Sequence, residues 1–227
     1  GSEAQILRTF AGLVKLSSPV RGGSFASAFT LALGPKARTR AQSAATFPSK
    51  VITVADVERA QARIAGKVRR TPLSESAALS RLAGCHVYLK LENLQFTGSF
   101  KERGAASRLL GLDADERRRG VITASAGNHA QAVALHASRL GVAATIVMPE
   151  ATPLVKVQAT ESHGARVVLW GAGYDAAAER AAEMASETGA VYVHPFDDLQ
   201  VMAGQGTIGL ELLEQLSDID AVIVPVG

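Results

Sequence analysis

Residues 120–141, GVITASAGNHAQAVALHASRLG, decide the fold of this chain. The first six residues are mostly apolar, which is typical of a strand buried between two layers. After the turn at Ser125–Gly127, apolar residues recur at helical spacing until Gly141 ends the pattern. A short apolar strand that leads through a tight turn into an amphipathic helix is the repeating unit of a parallel α/β sheet.

The same unit recurs toward the C-terminus. Further strands are predicted at AATIVMP, ARVVLWG, AVYVHP and DAVIVPVG, and helices at 153–164, 174–189 and from about Gly206 to Leu216. Upstream, helices are predicted at 53–68, at 74–84 and from a turn at Thr97–Ser99 to Leu110, with a strand at 86–92. This alternation predicts an α/β fold of open parallel sheets with helices on both faces.

Composition narrows the class of protein. The chain has 227 residues, 47% of them hydrophobic, which is enough for a substantial core. No apolar run approaches the ~20 residues that cross a bilayer, so a membrane protein is not expected. A lone cysteine, Cys85, fits a reducing compartment, and we expect a cytoplasmic protein.

The positive charge is confined to the N-terminal segment. Residues 1–50 hold seven Lys or Arg and one acid, so the rest has 24 − 7 = 17 basic and 21 − 1 = 20 acidic residues. The body is therefore slightly acidic, and no nucleic-acid partner is expected. Residues 1–50 are rich in Ser, Ala, Gly and Arg; an organelle transit peptide, a disordered extension and translated upstream sequence all fit them.

Lys101 stands where helix physics disfavours a cation. In TGSFKERGA (97–105) the turn and a serine cap place it in the first helical turn, where the helix dipole is positive. Partial desolvation there should lower its pKa and favour the free amine, which imine formation with a carbonyl requires. Phe100 beside it offers an apolar wall suited to a flat ring. A solvated surface lysine is the alternative.

The turn Ser125–Asn128 is suited to an anion. Its backbone N–H groups open a helix at a strand end, and together with the helix dipole they fit a carboxylate or a phosphate. Gly127 allows a close approach, and the amide of Asn128 can bind a ring oxygen. An ordinary helix cap is the alternative.

Other motifs carry less. Residues 204–209, GQGTIG, match the dinucleotide fingerprint, but no strand directly precedes them, so close packing at a helix start is favoured.

His129 and His136 share a helix face without an acid or cysteine at ligand spacing, so no metal site is expected. Cys85 and His86 are neighbours in a strand and should point to opposite faces, which argues against a catalytic dyad.

Four segments resemble the threonine/serine dehydratases, which are pyridoxal-phosphate enzymes of fold type II. They are KLENLQFTGSFKERGA, SAGNHAQ, HPFDD…AGQGTIGLE and VIVPVG, and the similarity runs from about Val51 to Gly227 in the family's order. The resemblance implies pyridoxal 5′-phosphate as cofactor and an amino acid as substrate. It also implies two lobes, the larger from 51–115 with 195–227 and the smaller from 116–194.

The resemblance also assigns roles to residues. Lys101 would form the Schiff base with the cofactor, Phe100 would pack near its ring, and Asn128 would bond the ring's phenolic oxygen. The turn and helix start that hold the substrate carboxylate would contain Ser125, Gly127, His129 and Gln131. Gly227 would begin the glycine-rich loop that binds the cofactor phosphate.

The resemblance implies deamination of L-threonine and L-serine to a 2-oxo acid and ammonia by β-elimination. Ala126 stands where racemising relatives place a second serine, so elimination is favoured over a serine racemase-like activity. Because the phosphate loop would lie beyond Gly227, we expect a truncated chain that binds the cofactor poorly, and a catalytically inactive fragment is the alternative. The full-length form is expected to be a homo-oligomer.

Overall fold

The computed structural model of the chain describes residues 52–224 together with the backbone of one short strand, Val14–Ser17. Gly227 and the rest of residues 1–50 lie outside the described residues, so the predictions made for them are not addressed by the structure. Contacts divide the described residues into two compact units. Residues 52–71 and 92–211 form the parallel unit, and residues 72–91 and 212–224 with the strand at 14–17 form the antiparallel unit.

The units are drawn differently from the predicted lobes, because residues 92–115 and 195–211 group with 116–194. The lobe boundaries stay a prediction.

The parallel unit contains a four-stranded sheet and most of the helices. In chain order its elements are α1 (Val54–Ile64), α3 (Lys101–Leu110), α4 (Ala114–Arg119), β4 (Val121–Ala124), α5 (Asn128–Arg139), β5 (Ala144–Met148), α6 (Leu154–Glu161), β6 (Arg166–Leu169), α7 (Tyr174–Thr188), β7 (Val191–Tyr192) and α8 (Leu199–Gln215), whose last residues continue into the other unit. The strand order is β6-β5-β4-β7, and every pair is parallel. The predicted parallel α/β sheet is confirmed.

Helices cover both faces of this sheet because its strands alternate between two cores. In β4, Val121 packs into a cluster with α3 and α5, whereas Ile122 and Ala124 pack against α7. In β5, Ile146 belongs to the first cluster and its neighbour Val147 to the second. This period of two explains why the strands read as continuous apolar runs.

The antiparallel unit departs from the predicted parallel arrangement. It contains β1 (Val14–Ser17), β2 (Leu73–Glu75), α2 (Ala77–Ala83), β3 (His86–Lys90) and β8 (Ala221–Ile223), with strand order β2-β3-β1-β8. Each of its pairs is antiparallel. The connection 76–85 is shorter than the dozen or so residues that a parallel crossover needs, so β2 and β3 pair as a hairpin-like unit. The sequence had assigned 74–76 to a helix and no strand to residues 1–50.

Within this unit, the prediction for Cys85 and His86 is confirmed. Cys85 is buried, whereas His86 is exposed and its Nδ1 lies 2.8 Å from the Glu75 carboxylate. The two side chains therefore point to opposite faces.

The glycine motif 204–209 lies inside α8. This helix starts at Leu199, seven residues before the start that was predicted near Gly206. The helix begins at Leu199 because the Asp198 carboxylate accepts hydrogen bonds from the N–H groups of Gln200 (2.7 Å) and Val201 (3.0 Å). The packing role predicted for the motif is confirmed at Gly204, where a Cβ would lie 2.5 Å from the carbonyl oxygen of Arg103 in α3.

We therefore expect Gly204→Ala to destabilise the protein by about 1–3 kcal/mol, because a backbone oxygen cannot yield as a flexible side chain can. Gly209→Ala is the matched control, since a Cβ there meets no atom within 4 Å. It should be neutral or stabilise by up to about 1 kcal/mol through helix propensity. Urea unfolding of both variants measures the difference, and equal effects would contradict the assigned helix crossing.

Candidate active site

The sequence-predicted lysine lies at the first residue of a helix, as expected. Lys101 opens α3, Phe100 precedes it with helical backbone angles, and the N–H of Lys101 donates to the hydroxyl of Ser99 (3.2 Å). The buried carboxylate of Glu102 accepts from the N–H (2.9 Å) and the hydroxyl (3.1 Å) of Thr97. These bonds fix the turn before the helix and hence the point from which Lys101 projects.

The Lys101 amine is partly buried and held by a backbone carbonyl. Its Nζ donates to the carbonyl oxygen of Pro195 (2.9 Å) and lies 5.4 Å from the centroid of the Phe100 ring. Burial lowers the pKa of Lys101 below its ordinary value of 10.5. The predicted desolvation is confirmed, and the solvated surface lysine is not what the structure shows.

The turn after β4 opens α5 without a side-chain cap. Gly127 is the residue before the helix, and its N–H donates to the hydroxyl of Ser125 (3.3 Å). Asn128 begins the helix and is exposed, and a Cβ on Gly127 would meet no protein atom within 4 Å. No side chain caps this helix start, and uncapped N–H groups in a first helical turn are what an anion site requires.

His129 and Gln131 follow in the first turns of α5. Gln131 is partly buried, and its N–H donates to the carbonyl of Gly127 (3.3 Å). The imidazole of His129 is buried, and its Nε2 lies 3.2 Å from the carbonyl oxygen of Val193. Its backbone N–H belongs to the open helix start, so any contact with a substrate carboxylate would come from the backbone and not from the ring.

The charge state of His129 follows from its surroundings. The pKa of His129 is lowered from 6.5 to about 4, mainly by burial and to a smaller extent by the charges of Lys101 and His194, while the bond to the Val193 carbonyl opposes the shift. The ring is therefore neutral near pH 7. The Lys101 amine and the His129 ring contact carbonyls that are only two residues apart in the chain, those of Pro195 and Val193, so one short segment connects the amine with the start of α5.

A neutral buried histidine makes stability depend on pH. Between pH 6.5 and pH 4, His129 is protonated in the unfolded chain but stays neutral in the folded protein. We therefore expect the free energy of unfolding to fall on acidification by up to about 3 kcal/mol. Urea unfolding at pH 7 and pH 4.5 measures the loss. His129→Gln, whose amide nitrogen has about the reach of Nε2 and can still donate to Val193, should reduce the difference, and an unchanged difference would contradict this assignment.

Residues that the sequence did not single out complete the site. Pro195 and Val193 supply the two carbonyls, and His194 lies between them, with Nδ1 accepting from the N–H groups of Phe196 (3.2 Å) and Asp197 (2.7 Å). This segment follows β7, so it shares the carboxyl edge of the sheet with the turn after β4. That strand-end position was the one signal available in the sequence.

His136, the second histidine of the α5 pair, is buried, and its Nε2 lies 3.5 Å from the Glu102 carboxylate. Among the described residues no three His, Cys, Asp or Glu side chains are grouped as a metal site, and no described helix is long and apolar enough to cross a membrane.

The segment after β7 at the carboxyl edge of the parallel sheet thus contacts a partly buried amine and the first turn of an uncapped helix, and such groups suit carbonyl chemistry on an anionic ligand. Comparison with known proteins agrees. The family described as pyridoxal-phosphate dependent enzyme matches residues 64–227, and the chain belongs to this family.

Named relatives narrow the similarity. The chain is 52% identical over 177 residues to an L-threonine ammonia-lyase of Thermotoga maritima, covering 78% of this chain and 44% of that protein. It is similar to the processed form of threonine deaminase isoform 2 from Solanum lycopersicum (38% identity, TM-score 0.66, 75% of this chain and 51% of that one). It is also similar to maize serine racemase (38% identity, TM-score 0.73, 75% and 52%). The chain spans about half the length of the curated relatives it matches.

Proposed function

We propose that this chain is part of a pyridoxal 5′-phosphate-dependent ammonia-lyase that converts L-threonine and L-serine to 2-oxo acids and ammonia. The observation that carries the proposal is the Lys101 amine, which is desolvated, held 2.9 Å from the Pro195 carbonyl and connected through the segment 193–195 to His129 in the first turn of α5. The relatives named threonine ammonia-lyase and threonine deaminase support the same reaction.

The residues present fit the cofactor. Lys101 would bind it covalently, Phe100 would pack near its ring and Asn128 would bond the ring oxygen. A free amine is favoured by the lowered pKa of Lys101, and the exposed amide of Asn128 is available to a ligand. When bound, the cofactor supplies an electron sink for the bond broken at the substrate Cα.

The chain's own residues then orient the substrate and move its proton. The N–H groups that open α5 would bind the substrate carboxylate, which fixes the direction of the Cα–H bond. Lys101, freed when the substrate amine takes its place, would take up the Cα proton on Nζ and pass it to the β-hydroxyl, which leaves as water. A second water molecule would then convert the released enamine to a 2-oxo acid and ammonia. Ser125 and Gly127 shape the turn that presents these N–H groups.

Ala126 favours elimination over racemisation. Racemisation needs a second acid on the opposite side of the substrate, and the Ala126 methyl group, which packs against the core cluster of α5, has no proton to exchange. The similarity to serine racemases makes racemisation the competing outcome.

The surroundings of the reaction are part of the same proposal. We place the protein in the cytoplasm and expect a homo-oligomer in its full-length form, with a small amino acid as its partner. The lone, buried Cys85 fits a reducing compartment.

The experiment measures products directly. The 227-residue chain, and a chain continued with the C-terminal half of the T. maritima relative, are incubated with pyridoxal phosphate and L-threonine or L-serine. A 2-oxo acid with an equal amount of ammonia is expected from the continued chain. D-serine without 2-oxo acid would favour the racemase, and no product from either chain would favour the non-catalytic alternative.

A further inference from the structure

One backbone carbonyl near the site is held by two buried donors. The oxygen of Val193 accepts from the hydroxyl of Thr123 in β4 (2.7 Å) and lies 3.2 Å from Nε2 of His129 in α5. Thr123 and Val193 are fully buried, and His129 is 3% exposed. Since a carbonyl can only accept, His129 must carry its proton on Nε2, which agrees with a neutral ring.

Val193 begins a segment that is tied at both ends. We call residues 193–198 the strap. At its far end, one oxygen of Asp198 caps α8 and the other lies 3.2 Å from Nε of Arg108 in α3. Between the ends, the carbonyl of Pro195 accepts from the Lys101 amine at 2.9 Å. The strap thus connects β4, α5 and α3 at the position of the amine.

Proline contributes to the stiffness of this connection, because its ring fixes φ and it has no N–H to pair elsewhere. The strap also folds on itself, since His194 accepts from the N–H groups of Phe196 and Asp197. A short segment fixed in this way transmits the position of its first carbonyl to the third residue.

We infer that Thr123 and His129 are positioning residues, which hold the Val193 carbonyl. They thereby place the Pro195 carbonyl where it accepts a hydrogen bond from the Lys101 amine and keeps that amine partly buried. The inference rests on the proposed function in taking Lys101 as the reacting amine. It assigns the His129 ring a role apart from the substrate carboxylate, and it gives Thr123 a role that the sequence did not indicate.

The test measures the pKa of the Lys101 amine directly, in the absence of cofactor and substrate. The chain is acetylated with trace acetic anhydride from pH 7 to pH 11, and the rate at Lys101 is measured by peptide mapping. Only the free amine reacts, so the midpoint of the rate profile reports its pKa. Thr123→Val removes one donor at nearly constant volume, and we expect the midpoint to rise by about 0.5 pH unit or more as the amine becomes hydrated.

Two controls separate positioning from general destabilisation. Thr123→Ser restores the hydroxyl and should restore the parent profile. Thr160→Val removes another buried hydroxyl, which donates to the Lys156 carbonyl within α6, and should leave Lys101 unchanged. Should Thr123→Val fail to fold, Asp198→Asn releases the strap from Arg108 while keeping an oxygen to cap α8, and a rise in the midpoint is expected again.

The inference would be overturned if the acetylation midpoint of Lys101 in the folded Thr123→Val chain equalled that of the parent chain. Where Thr123→Val does not fold, the same result in Asp198→Asn would overturn it. So would a Thr160→Val midpoint that rises as far as that of Thr123→Val. Failure of the proposed function is a different result, namely absent 2-oxo acid, and it leaves the acetylation profile unaffected.

Discussion

Replacing Arg103 with methionine is expected to lower the free energy of unfolding by about 3–5 kcal/mol, the largest stability effect of any single change considered for this chain. Methionine fills much of the same volume and keeps helix propensity, so the loss comes from the charge. Arg103 neutralises two buried carboxylates, and in the variant both carboxylates would stay buried without a positive partner.

The network around Arg103 explains this magnitude. The guanidinium is fully buried and pairs with Glu92 through Nε and Nη2 (both 2.8 Å) and with Glu211 through Nη1 (2.7 Å) and Nη2 (2.9 Å). The Thr207 hydroxyl accepts the remaining hydrogen of Nη1, and the carbonyl of Arg69 shares the hydrogens of Nη2 with the two carboxylates. The two carboxylates raise the pKa of Arg103 against the opposing effect of burial, so it stays charged.

The control is Arg59→Met, which breaks an exposed ion pair with Asp56 in α1 and should cost about 1 kcal/mol or less. Denaturant unfolding at constant m-value compares the two variants. In the triple variant Arg103→Met, Glu92→Gln, Glu211→Gln, removing the carboxylate charges should recover part of the loss. If Arg103→Met lowered the free energy of unfolding by no more than Arg59→Met does, the network would contribute little to stability.

Replacing Lys101 with methionine is expected to reduce 2-oxo acid formation by about 10³-fold or more, because the change removes both the attachment point and the proton-accepting amine. The comparison uses the chain continued with the C-terminal half of the relative, since that is where activity is expected. Stability should fall little, as the buried part of the side chain is kept and a desolvated amine is removed.

Lys156→Met is the matched control, because this lysine is exposed on α6 of the same unit. It should retain the parent rate. A Lys101→Met variant that keeps a tenth or more of the parent rate would mean that another group removes the Cα proton.

Local sequence patterns predicted the elements whose signals are local. Helix α1 falls within the helix predicted at 53–68, and its start is a local capping box in which Thr53 and Asp56 bond to each other's backbone N–H groups. The apolar runs of β4 and β5 gave the parallel sheet, since burial on both faces removes polar alternation. The desolvation of Lys101 followed from its place at a helix start beside Phe100.

Other elements depend on signals that are weak in the local sequence or come from distant residues. The start of α8 at Leu199 is set by the Asp198 cap, which competed with the more conspicuous glycine motif. Helix α4 was not predicted, although it begins with a second capping box, between Asp113 and Glu116. The antiparallel sheet depends on β1, whose partners β3 and β8 lie far away in the sequence.

The site divides in the same way. Lys101 and the turn before Asn128 could be predicted because each sits at a helix start. The strap and the Arg103 network could not, because each depends on hydrogen bonds between residues far apart in the sequence, such as Thr123 with Val193 (70 positions) and Arg103 with Glu211 (108 positions).

The identity of the lysine that binds the cofactor tests the central claim most directly. The chain is incubated with pyridoxal phosphate, reduced with borohydride and mapped by mass spectrometry. We predict that the reduced adduct lies on Lys101 and that acetylating this amine beforehand prevents it. An adduct concentrated on another lysine, such as Lys90 or Lys156, with Lys101 unmodified, would contradict the account.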